Sequence, residues 1–96
     1  MLIKAGVDIS RLNREIRRSL PRVEAVYKQY LEDFVITSTF EGNHGAGSLH
    51  YGNDAYDVRL PGKEVKEIFN AVKESLGNSY GVVWEGDHIH IEYDPK

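Results

Sequence analysis

Four histidines, His44, His50, His88 and His90, and no cysteine in 96 residues define the chemistry open to this chain. Without thiols there is no disulfide, no thiolate nucleophile and no sulfur-bound metal, so a metal here must take nitrogen and oxygen ligands. His88, His90 and Glu92 alternate with Ile89, Ile91 and Tyr93. Successive side chains of a strand point to opposite faces, which puts both imidazoles on one surface and the isoleucines on the other. A His-x-His strand by itself is more often an exposed pair than a site. His50 and Asp57 form a second element, an imidazole leaving a glycine-rich stretch and a carboxylate seven positions later. A turn at Gly52-Asn53 would aim both at one point. His50, Asp57 and His90 then make a set suited to zinc, which in catalytic sites takes three protein ligands at about 2.0 to 2.2 Å and keeps a fourth position for water. Spacing alone supports equally well a turn or ion-pair carboxylate at Asp57 and a loop histidine at His50.

The elements that must position these residues are legible in the periodicity. Ile9, Leu12, Ile16 and Leu20 recur at spacings of three and four, which predicts a helix over about 9 to 19 with Asp8 or Ser10 as its cap. Pro21 would open a second helix over about 21 to 32, where Val23, Val26, Tyr27 and Tyr30 repeat the pattern. The β-branched and aromatic run 34 to 40 predicts a strand, 41 to 53 a glycine-rich loop, and 55 to 60 a second strand ended by Pro61-Gly62. Val65, Ile68, Phe69, Val72 and Leu76 line one stripe of a further helix, which Gly77-Asn78 would stop. Strands 81 to 84 and 88 to 93 close a hairpin around Glu85-Gly86-Asp87. The expected fold is α+β, a small antiparallel sheet with helices on one face.

Composition narrows the function. With 41% hydrophobic and 28% charged residues the chain reads as one globular domain spanning 1 to 96. A net charge of -3 and a pI near 5.8 leave no overall positive field for a polyanion. Nucleic acid is therefore not an expected partner, and Arg11, Arg14, Arg17, Arg18 and Arg22 read as a solvated helix face. No apolar run approaches the roughly 20 residues of a membrane span, and Met1-Leu2-Ile3-Lys4 opens no signal peptide.

Ser48-Leu-His50-Tyr51-Gly52-Asn53-Asp54-Ala55-Tyr56-Asp57 resembles the Ser-x-His-x-x-Gly-x-Ala-x-Asp motif of the zinc D-alanyl-D-alanine carboxypeptidases and the related peptidoglycan endopeptidases of phage endolysins. Asp87-His88-Ile89-His90 resembles their later metal-binding strand. Hedgehog signalling domains, which share that fold and zinc site, carry a similar Ser-Leu-His-Tyr stretch and His-Ile-His strand. The resemblance covers about residues 34 to 93 and contains two motifs in the right order with a helix between them.

The resemblance implies a zinc metallopeptidase acting on peptidoglycan stem peptides, as a D-Ala-D-Ala carboxypeptidase or an L-Ala-D-Glu type endopeptidase. It makes His50, Asp57 and His90 the zinc ligands. Asp87 takes the place of the general base, with Glu85 as its competitor; such a carboxylate accepts the proton of water attacking a peptide carbonyl and hands it to the leaving amine. His88 would stabilise the developing oxyanion or assist proton transfer. Tyr51 and Trp84 would flank the site and pack against the substrate. Two departures stand out. Ser38-Thr39-Phe40-Glu41 lacks the Arg that many of these peptidases carry there, which favours the endopeptidase, and Asn53 replaces the motif glycine. With no signal peptide, a phage-encoded enzyme that stays in the cytoplasm until release fits. The alternative is a non-catalytic zinc-binding interaction or phage assembly module of the same fold.

Overall fold

Alternating apolar residues organise the sheet of this computed structural model, which describes residues 1–39 and 52–95. Its elements follow in the order β1 (Leu2–Ile3), α1 (Arg14–Gln29), β2 (Val35–Ser38), β3 (Ala55–Arg59), α2 (Val65–Leu76), β4 (Tyr80–Glu85) and β5 (His88–Tyr93). The strands form a five-stranded sheet in the order β1-β2-β3-β5-β4. Ile36, Tyr56, Val58, Val82, Ile89 and Ile91 enter one hydrophobic cluster with Ile16, Leu20, Val23 and Tyr27 of α1 and Ile68, Val72 and Leu76 of α2. Both helices pack on this face. Asp57, His88, His90 and Glu92 occupy the opposite positions of the same strands.

The sheet is mixed rather than antiparallel as expected, because β1 joins β2 in parallel register. Parallel neighbours need a crossover connection, and α1 supplies it. The amides of Leu2 and Lys4 donate to the carbonyls of Phe34 and Ile36 at 2.8 and 2.9 Å. Two paired residues are too short a run to leave a periodic signal.

The two helices expected before residue 33 are one. Pro21 lies inside α1, where it cannot donate to the carbonyl of Arg17, a loss of about 3 kcal/mol. The stripe Ile16, Leu20, Val23 and Tyr27 continues unbroken across it and is almost fully buried. At about 1.5–3 kcal/mol for each large apolar side chain, that burial outweighs the missing bond. The helix also starts later than expected. Asp8 Oδ1 accepts from the Ser10 amide at 2.8 Å, and the Arg17 guanidinium donates to the carbonyls of Ile9, Ser10 and Leu12 at 2.7, 3.0 and 3.3 Å. Those carbonyls are satisfied without a helical turn. Arg18 meets Glu15 at 3.3 Å, so Arg17 and Arg18 at least are already engaged within the chain.

Helix α2 ends at Gly77, whose φ of 78° and amide bond to the Lys73 carbonyl at 3.0 Å complete the stop that Gly77-Asn78 predicts. Gly86 and Asp87 link β4 to β5, with Gly86 at a φ of 55° and Asp87 outside the positive-φ region. Glycine at the first of two linking residues is the choice of a tight hairpin whose twist matches its strands.

Candidate metal centre

Strand β3 is fastened before it presents anything to the open face. Asn13 donates from Nδ2 to the Gly52 carbonyl at 3.0 Å and to Asp54 Oδ1 at 2.8 Å, tying the start of α1 to the approach to β3. Asn53 takes a φ of 63°, the left-handed conformation that asparagine tolerates better than most residues. On the covered face the Ser19 hydroxyl donates to the Ile16 carbonyl at 2.6 Å, so the Tyr56 hydroxyl donates to Ser19 Oγ at 2.8 Å. Tyr27 caps the far end of the strand by donating to the Arg59 carbonyl at 2.8 Å. Asp57 lies between these anchors and points the other way. Opposite it, the pairing of β2 slips between Ile36 and Ser38, a bulge of the kind found beside functional side chains.

Strand pairing then assembles the cluster. Asp57 faces His90 and Arg59 faces His88 across β3 and β5, while Glu85 faces His88 across β4 and β5. Asp57 uses its oxygens separately: Oδ1 lies 3.1 Å from His90 Nδ1 and Oδ2 lies 3.7 Å from His88 Nε2. His90 Nε2 lies 2.7 Å from Glu92 Oε1. His88 Nε2 lies 3.4 Å from Glu85 Oε1, and His88 Nδ1 lies 3.0 Å from Asp87 Oδ1. Exposure rises along the cluster, from 11% and 12% for the side chains of Asp57 and His90 to 99% for Asp87.

These carboxylates decide the protonation of both imidazoles. Burial alone would lower His90, but its bonds to Asp57 and Glu92 outweigh burial and hold its pKa above the usual histidine value. His88 behaves alike: burial lowers it, and the bond to Asp87 with the charges of Asp57 and Glu85 raises it further than burial lowers it. Asp87 is held below the ordinary carboxylate range, chiefly by its bond to His88.

Asp57, Glu85 and His88 could hold a metal ion, each offering one ligand atom within 4.8 Å of the others. The donor chemistry fits. Ligand atoms about 2.05 Å from a tetrahedral ion lie about 3.3 Å from one another, and the 3.4 and 3.7 Å from His88 Nε2 to Glu85 and Asp57 lie near that spacing. Imidazole nitrogens with carboxylate oxygens suit zinc and other borderline divalent ions. The bond between Asp87 and the far nitrogen of His88 is the usual way a histidine near a metal is held in one tautomer and orientation.

The structure brings together five of the residues singled out in the sequence, Asp57, His90, His88, Asp87 and Glu85. His50 and Tyr51 lie outside the described residues, as does His44. Asp87, expected as a base, touches His88 rather than the Asp57 oxygens. Trp84 does not flank the cluster. It pairs with Ile89 on the helix-covered side and packs on Phe69 of α2 at 6.0 Å between ring centroids, because alternation along β4 sends Val83 and Glu85 to the open face instead. Glu92 went unassigned in the sequence, although its place two residues after His90 on the same face was visible there. No protein-family model and no curated protein matches this chain.

Proposed function

We propose that this domain is a zinc-dependent peptidase acting on peptidoglycan stem peptides. The observation that carries the reading is Asp57 itself: the last residue of the Ser-x-His…Asp motif lies between both imidazoles of the His-x-His motif, one oxygen toward each. Two stretches more than 30 positions apart thus converge on the open face of the sheet, as the resemblance to zinc D-alanyl-D-alanine carboxypeptidases and endolysin endopeptidases requires.

In this reading Asp57 and His90 are ligands, and the resemblance adds His50. Zinc, when bound, supplies Lewis-acid polarisation of a carbonyl and acidification of water. Glu85, half exposed and against His88, is the carboxylate placed to take a proton from the attacking water. His88, fixed by Asp87 at Nδ1, turns Nε2 into the cluster and can donate to negative charge developing on the substrate. Burial of Asp57 and His90 keeps these electrostatic interactions stronger than they would be in water.

The test is zinc content together with peptide release from purified cell walls. Native protein should hold one zinc per chain and release stem peptides, and Asp57→Asn should lose both. A native protein that retains zinc yet releases nothing would leave the domain a zinc-binding interaction module.

A further inference from the structure

Strand β4 closes one end of the sheet order, and among the described residues no strand pairs with its outer edge. Native edge strands are usually guarded by charges, proline, a bulge or short length. Gly81-Val82-Val83-Trp84 has no charge and no proline, and β4 runs six residues in unbroken register with β5. Val83 and Trp84 are 46% and 43% exposed, one on each face of the strand. An open groove of about 600 Å³ follows the same edge from Tyr80 to Val83, with Lys73, Gly77 and Asn78 as its far wall.

The backbone groups on that edge can be assigned. The Asp94 amide donates to the Ser79 carbonyl at 2.8 Å, and bonded pairs alternate with non-bonded ones along an antiparallel ladder. Residues 81, 83 and 85 therefore bond inward to β5, and Tyr80, Val82 and Trp84 turn their amides and carbonyls outward. Tyr80 already gives its amide to the Gly77 carbonyl at 3.4 Å. Val82 and Trp84 are left holding the donors and acceptors of a strand that has no neighbour among the described residues.

We propose that a second copy of this chain supplies the neighbour, β4 of one copy lying antiparallel to β4 of the other about a two-fold axis through Val83. A continuous sheet sets residues of the same face opposite each other, so the axis passes through a residue and not between two. Centred on Val83, Val82 of each copy faces Trp84 of the other, each pair exchanging two backbone bonds. Centred on Val82, Trp84 would face Tyr80, whose amide is engaged. The Val83 axis also lets the exposed Val83 side chains meet on the open face. Each Trp84 indole enters the groove of the other copy beside Lys73, a cation that already lies 5.5 Å from the Phe69 ring centroid. Charge is matched as well. Glu85, the carboxylate of β4, arrives opposite Gly81, at the end of the strand that Lys73 flanks and where no side chain obstructs it. Glu92, behind Gly81, is taken up by His90 Nε2 at 2.7 Å. Both open faces then lie on one side of a continuous sheet and the helices on the other. The pairing does not depend on peptidase activity.

Sedimentation equilibrium in excess EDTA reads the pairing with no metal to bridge two copies. Native protein should form a dimer with a Kd of about 10–100 µM, the weak range of interfaces below about 1,200 Å². Val83→Glu sets two carboxylates across the axis and should weaken the dimer at least about tenfold, with the circular dichroism of the native fold. Because the chain has no cysteine, Val83→Cys reads the register directly. A non-bonded antiparallel pair brings Cα atoms to about 4.5 Å, within reach of a disulfide. Oxidised glutathione should link the Val83→Cys variant into dimers and leave Ile3→Cys, 43% exposed on the opposite edge of the sheet, monomeric. Native protein that stays monomeric at about 500 µM, or an association that EDTA abolishes, overturns the pairing. So does a dimer that Val83→Glu leaves intact, or equal cross-linking of the two cysteine variants.

Discussion

Ile89 and Ile91 are fully buried in the cluster they share with both helices, whereas His88 and His90, their neighbours in β5, lie among carboxylates on the uncovered face. The same division runs through β3, where Tyr56 and Val58 point to the core and Asp57 to the cluster. One backbone ladder therefore serves two purposes with no shared side chain. Packing on the helix side immobilises the strands, and the open side receives a fixed array of donors without contributing much to the cohesion of the fold. Substitutions on the two faces should separate cleanly into losses of stability and losses of metal binding.

The largest separation is expected from Ile91→Ala and Asp57→Asn. Ile91→Ala should cost about 2–5 kcal/mol in denaturant unfolding of the metal-free protein, and a cost below that range would mean the core adjusts around the gap. Asp57→Asn should lower zinc affinity by at least about a hundredfold in calorimetric titration while leaving metal-free stability close to native at a pH above the folded pKa of both histidines. Parallel losses of stability and affinity in both variants would break the distinction between the faces.

A finer cut separates the donors within the open face. His90→Gln should abolish stoichiometric zinc, and Glu85→Gln should keep the zinc while lowering the rate of peptide release. The reverse pattern would move the ion to the group formed by Asp57, Glu85 and His88.

The pH response should also differ with metal. Both histidines have folded pKa values raised above about 6.5. In metal-free protein their contribution to stability is complete below that value and is lost as pH rises through the folded pKa. Zinc requires unprotonated imidazole, so its affinity should rise across the same window, by about tenfold per pH unit for each proton released. Unfolding midpoints measured upward from pH 6.5 with and without zinc should slope in opposite directions. The smallest effect should come from Tyr56→Phe, about 1 kcal/mol from a single buried hydroxyl bond, because Ser19 keeps its bond to the Ile16 carbonyl. That loss should leave zinc affinity unaltered.

Much of the architecture was readable from residue order. Alternation in 88 to 93 told which side chains share a face, the Val65–Leu76 stripe told one helix, and Gly77 and Gly86 marked a helix stop and a tight turn. These are local consequences of backbone geometry, so a window of a few residues contains them. The position of the His-x-His strand beside the Asp57 strand was supported in the sequence by resemblance; its register follows from sheet pairing. Other features depend on distant partners. Pro21 stays inside α1 because the sheet and α2 bury the stripe on both sides of it. Arg17 is spent on the carbonyls of Ile9 to Leu12, and Trp84 is drawn to Phe69. Glu85, Asp57 and His88 converge only once β4, β5 and β3 are aligned. A short-range pattern records which way a side chain points, but its neighbours are chosen by the packing that minimises exposed apolar surface over the whole chain.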